Sequence, residues 1–273
     1  MNSDVFVYAH EHSMSDQSAI LAAYPDVNAV LQAQLAGAQS VLGDHFVGLY
    51  LYGSLAGGDF NPQTSDIDFV VVTDSDLSNE LIHDLEALHD RLWSSGLKWA
   101  EKLEGAYVPR HTLRCYDPTS APCPTINEGR FYLDKQGSDW IIQRYILREY
   151  GAVVCGPSLK SSIDPVTPDD LRRAVLGILR EWWSPMLENP AWIRNRAYEA
   201  YATLTMCRAL YTLEHGDIVS KPIAARWAQA TLDEKWNVLI DRAVAWPQEP
   251  RPDNLNETLD FIRYTIDRAT PAA

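Results

Sequence analysis

The chain has 273 residues, 46% of them hydrophobic, which is enough for one or two ordinary cores. Its 23 basic and 37 acidic residues give a net charge of −14 and a pI near 4.8. That balance argues against nucleic-acid binding, which needs a basic face, and favours a small cationic or hydroxylated partner. Cys115, Cys123, Cys155 and Cys207 are scattered without metal-ligand spacing and read as reduced thiols of a cytoplasmic protein. No apolar run of about 18 residues marks a membrane-spanning helix. Residues 1–17 lack the basic-then-apolar pattern of a signal peptide. His10, Glu11 and His12 in that stretch read as a surface tail rather than a metal site.

Pro25-Asp26 starts a helix whose apolar positions Val27, Val30, Leu31 and Leu35 recur at helical spacing. Two strands follow, over Phe46 to Tyr52 and Ile67 to Thr73. Between them lie Gly53-Ser54, Gly57-Gly58 and a polar loop with Asn61-Pro62. Side chains two apart in a strand share a face, so Asp66 and Asp68 project together while Ile67 turns away. Two carboxylates so placed repel each other, and a divalent cation between them removes the conflict. Mg²⁺ takes one or two carboxylates plus substrate phosphate oxygens. Gly53 lets the backbone approach a phosphate, and Ser54 offers a hydroxyl to it.

Asp76-Leu77-Ser78 caps a helix running to about Ser94, with Leu81, Leu85, Leu88 and Leu92 on one face. His83 and His89 are expected on its solvated side. A third strand runs from Leu103 to Val108 and carries Glu104 near its start, with Glu101 as a rival three residues earlier. Residues 110–135 read as loop-rich, with Pro118, Pro122 and Pro124. A helix covers Trp140 to Glu149, then a short strand Val153-Val154 and a Gly156-Pro157 turn. From about residue 165 the pattern is helical. Segments 171–183, 194–216, 221–231, 235–245 and 254–268, joined by short loops, are expected to form a bundle. The fold class is therefore α+β: a mixed sheet with flanking helices over residues 1–158, then an α-helical domain over 159–273.

Gly-Ser followed about a dozen residues later by Asp-x-Asp, between apolar strands, resembles the nucleotidyltransferase superfamily related to DNA polymerase β. The segments REYGAVVCGP and WAQATL, with Arg208 mid-helix and Lys221 opening the next helix, resemble aminoglycoside adenylyltransferases of the streptomycin/spectinomycin (3″ or 9) type. The resemblance runs over roughly 28–245. It implies that Asp66 and Asp68 hold Mg²⁺, that Gly53 and Ser54 contact the triphosphate of ATP, and that Arg208 and Lys221 bind its phosphates. Glu104 would be the general base, and AMP would pass to a hydroxyl of an aminoglycoside or aminocyclitol with release of pyrophosphate. In the streptomycin-modifying members a loop Trp and an Asp of the helical domain hold the drug. The corresponding segments here carry Phe131-Tyr132, and Trp192 with Arg194, so spectinomycin is favoured over streptomycin. A monomer is expected. The alternatives are transfer to another small molecule or a protein, and nucleotide binding without transfer.

Overall fold

A computed structural model describes residues 23–246 and 255–270. The 1–17 tail lies outside the described residues. Contacts divide the rest into a sheet unit (23–136 and 143–165) and a helical unit (137–142, 166–246 and 255–270). The α+β expectation holds.

The sheet unit begins with α1 (Pro25–Leu42), β1 (Phe46–Leu51), a single helical turn α2 (Gly53–Gly57), β2 (Ile67–Thr73) and α3 (Asn79–Trp93). Next come β3 (Leu103–Pro109), α4 (Arg110–Arg114), β4 (Cys123–Asn127) and β5 (Arg130–Asp134). α5 (Asp139–Tyr150) and β6 (Ala152–Cys155) close the series. The six strands form one sheet in the order β5-β4-β3-β2-β1-β6. All pairings are antiparallel except β2 with β3. β2 and β3 are buried nearly throughout, which explains why both read as continuous apolar runs rather than alternating ones.

Leu49, Leu51, Ile67, Phe69, Val71, Leu103 and Tyr107 form a core with Val27, Val30 and Leu31 of α1 and Leu85 and Leu88 of α3. Strand alternation then turns Asp68 and Glu104 to the opposite face of the sheet.

Two expectations need correction. The stretch 110–135 is not loop-rich throughout: it holds α4 and the β4–β5 hairpin. Glu128 and Gly129 make the two-residue turn, both at positive φ (47° and 72°), as hairpins of this length favour. His89 is not solvated. It is 5% exposed, and its Nε2 lies 2.9 Å from the Tyr107 hydroxyl, which also accepts from Gln34 Nε2 at 2.9 Å. That network ties β3 to α1 and α3 beneath the sheet. Arg144, also buried, donates to the carbonyls of Thr112 and Leu113 and to Gln136 Oε1.

The helical unit is packed around α8 (Arg196–His215), against which lie α6 (Pro168–Ile178), α9 (Lys221–Thr231), α10 (Asn237–Ala245) and α11 (Leu255–Ala269). Ala202 and Met206 of α8 and Ala224, Ala225 and Ala228 of α9 are buried, and small residues allow close helix approach. α6 opens on a Thr167/Asp170 capping box. It continues through a π-helical turn, Leu179–Trp183, into α7 (Ser184–Glu188), so the predicted 171–183 helix runs on with one wide turn.

Burial holds the His89 imidazole down at about 4, against an ordinary 6.5. Above pH 6.5 it is neutral folded and unfolded. As pH falls from there toward 4 only the unfolded chain takes up the proton, so stability drops, by about 3 kcal/mol in all. Urea unfolding at pH 7 and pH 4.5 should show this loss in the wild type and a clearly smaller one in His89→Asn.

Candidate active site

The site is built at the N-terminal ends of β2 and β3. Their parallel register sets Asp68 directly beside Glu104, with Ile67 beside Leu103. Asp66, just before β2, shares the face of Asp68. Glu101, the rival carboxylate, lies exposed in the 3₁₀ turn Ala100–Lys102, outside the strand.

Gly53 and Ser54 sit at the end of β1, where the Tyr52 N–H donates to the Asp68 carbonyl at 3.1 Å. That bond brings the Gly53 backbone against the acid. Gly53 has φ +65°, and a Cβ there would lie 1.9 Å from Asp68 Oδ2. A glycine is required twice over, for its backbone angle and for the room it leaves the carboxylate. Gly105, next to Glu104, serves strand packing instead: a Cβ there would lie 2.2 Å from the Phe69 carbonyl oxygen of β2. The Ser54 carbonyl accepts the Asp59 N–H at 3.1 Å, closing the single turn.

The electrostatics follow from this crowding. Glu104 is pushed up to about 8, by burial first and then by the charges of Asp66, Asp68 and Glu128. Glu128 belongs to the β4–β5 turn and was not singled out from the sequence. The other group missed is Lys102, whose Nζ lies 2.9 Å from Asp66 Oδ1. Its hydrogen bond to Asp66 raises the ammonium pKa. Strand alternation does not mark it, since Lys102 ends the 3₁₀ turn before β3.

Among the described residues no three His, Cys, Asp or Glu side chains converge as a complete metal cage. The donor set still fits a hard divalent ion. Mg²⁺ needs only one or two carboxylates when substrate phosphates and water complete its shell. Three acids, Asp66, Asp68 and Glu104, face a single ammonium, Lys102, so the group keeps an excess of negative charge that a divalent ion would offset. The fold thus brings Gly53, Ser54, Asp66, Asp68 and Glu104 together at one end of the sheet. Arg208 and Lys221 belong to the helical unit, Arg208 in α8 and Lys221 as the first residue of α9. The Lys221 Nζ stands 5.0 Å from the centre of the Tyr201 ring.

Residues 42–116 match the nucleotidyltransferase domain, and residues 162–269 match the C-terminal domain of aminoglycoside adenylyltransferases. The chain is 30% identical over 127 residues to an aminoglycoside (3″)(9) adenylyltransferase of Klebsiella pneumoniae, covering 44% of this chain and 46% of that protein. The same enzyme type in Escherichia coli is 30% identical over 128 residues. The chain therefore aligns over about half the length of the curated relatives it matches. In fold it is similar to the spectinomycin adenyltransferase AAD(9) of Enterococcus faecialis, solved with ATP and spectinomycin. That comparison has a TM-score of 0.68 at 20% identity and covers 89% of this chain and 98% of the other. No helix among the described residues is long and apolar enough to cross a membrane.

Gly53→Ala is expected to cost at least ~1 kcal/mol from the left-handed backbone alone, with the clash on Asp68 added. Gly58 also has positive φ (+78°) but nothing within 4 Å of its Cβ position, so Gly58→Ala should show the backbone cost without the clash. Urea unfolding of the two variants checks the difference.

Proposed function

We propose that this chain transfers AMP from ATP to a hydroxyl of an aminoglycoside or aminocyclitol and releases pyrophosphate. The observation that carries the reading is the β2–β3 register, which puts Glu104 beside Asp68 next to Gly53-Ser54, in a chain with both domains of that enzyme type.

In this reading Asp66 and Asp68 hold Mg²⁺, which when bound neutralises phosphate charge and restores Glu104 to its ionised form. Gly53 presents backbone to the triphosphate and Ser54 its hydroxyl. Arg208 and Lys221 contribute positive charge to the phosphates. Glu104 accepts the proton of the acceptor hydroxyl, since an alcohol is a poor nucleophile at neutral pH and a carboxylate within hydrogen-bond reach corrects that. The freed oxygen attacks the α-phosphorus, the bond from that phosphorus to the α,β-bridging oxygen breaks, and pyrophosphate departs with the electron pair. A protein of charge −14 attracts a cationic acceptor.

Spectinomycin is the favoured acceptor. The resemblance implies a Trp and an Asp for streptomycin-modifying members, and the matching segments here carry Phe131-Tyr132, Trp192 and Arg194 instead; the AAD(9) protein of similar fold was solved with spectinomycin. We place the division of labour at residue 158, with nucleotide chemistry before it and the helical domain after it.

Glu104→Gln should lower pyrophosphate release with spectinomycin by about 10²- to 10⁴-fold while ATP binding by calorimetry stays close to wild type. Glu101→Gln should remain active. If Glu101→Gln is dead and Glu104→Gln is not, the base is misassigned. Arg208→Ala and Lys221→Ala should weaken ATP binding. Tight ATP binding with no pyrophosphate release on any aminoglycoside or aminocyclitol would overturn the transferase reading.

A further inference from the structure

A cation already stands among these acids, and nothing in the reaction described above uses it. Asp66 and Lys102 each stand one residue before the first register pair, Ile67 with Leu103, Asp66 leading into β2 and Lys102 ending the 3₁₀ turn that leads into β3. The contact is made, with Lys102 Nζ 2.9 Å from Asp66 Oδ1. With Asp68 and Glu104 the pair makes a patch of three acids and one ammonium.

Lys102 is delivered there by a built turn. Its N–H donates to the Trp99 carbonyl at 2.9 Å. Trp99 has φ 79°, an unfavourable angle for a residue with a Cβ. Packing holds it there: the Trp99 ring lies 5.3 Å from Phe60, which in turn meets Tyr24 at 4.9 Å, all three against the sheet core. Strain maintained next to a candidate site points to a placement that serves it.

The pair itself is easily broken. The Lys102 and Asp66 side chains are 54% and 32% exposed, and a pair this open shifts an equilibrium by roughly fivefold at most. A metal, by contrast, needs the same Asp66 oxygens. We propose that Lys102 is a displaceable counter-ion: it holds Asp66 in the metal-free enzyme, and a divalent cation binds there only by taking Asp66 from it. The inference rests on Asp66 and Asp68 being the metal ligands. Its consequence is that the metal binds weakly alone and firmly with the nucleotide, whose phosphates offset the loss of the lysine pair. Once displaced, the ammonium still faces Glu104 and Glu128.

The test is direct binding of Mn²⁺ to nucleotide-free protein, read from the free-ion electron paramagnetic resonance signal. Lys102→Met is expected to bind Mn²⁺ roughly fivefold more tightly than wild type, and Lys102→Arg to stay close to wild type. Lys102→Gln serves if the Met variant does not fold. Equal or weaker affinity in Lys102→Met or Lys102→Gln, or no measurable binding in either, overturns the proposal. Asp66→Asn separates the two readings. If it abolishes Mn²⁺ binding while Lys102→Met matches wild type, the lysine role alone fails. If it leaves Mn²⁺ binding intact, the metal site is misplaced and the lysine role falls with it.

Discussion

The site depends on one pairing: β2 running parallel to β3 in a register that aligns Asp68 with Glu104. Strands in a sheet lie about 4.8 Å apart, so two carboxylates at matched positions are forced within a few ångströms of each other. No sheet would choose that contact for its own stability. It is imposed by the other face, where Ile67, Phe69, Val71, Leu103 and Tyr107 are buried against α1 and α3. A slip of one residue would move that whole apolar set to the opposite face and break its packing on α1 and α3. Hydrophobic burial on one side of the sheet therefore holds a mutually repulsive group in place on the other. The missing side chain of Gly53 provides the clearance for Asp68.

Much of this was legible in the residues. The three central strands announce themselves as short apolar runs, and alternation alone places Asp66 and Asp68 on one face. The partner strand of Asp68 is a different matter, since periodicity within a strand says nothing about which strand lies beside it. Lys102 escaped notice for that reason: its significance is its contact with Asp66, a relation between segments. The β4–β5 hairpin was obscured by three prolines nearby, although Glu128-Gly129 has the two-residue form such turns take. His89 was misread because helical periodicity finds the main apolar stripe only. The side chain lies beside that stripe, where the Tyr107 hydroxyl offers it a buried hydrogen-bond partner.

The helical unit follows a different logic. Its segments were readable from caps and spacing, with Thr167 and Asp170 closing a capping box and Gly216 ending α8 in the left-handed conformation (φ +67°). A Cβ on Gly216 would run into Pro168 and Arg172, so the end of α8 and the start of α6 are fitted to each other. The π-helical turn at Leu179–Trp183 was not readable, because a wide turn is chosen by packing, here around the buried Trp183.

The position of β2 has a consequence for motion. It lies inside the sheet, hydrogen-bonded on both sides and buried over almost its whole length. Local opening is least favourable where buried contacts and protected backbone bonds are densest. The amides of Phe69 to Val72 therefore belong to the slowest-exchanging class in this unit, and those of the exposed edge strand β5 to a faster one. Asp68 is anchored in the slow segment, whereas Asp66 lies just beyond its end. One carboxylate is a fixed reference point and the other has freedom to change partners, so reorganisation on binding is confined to the fringe of a frame that itself scarcely breathes.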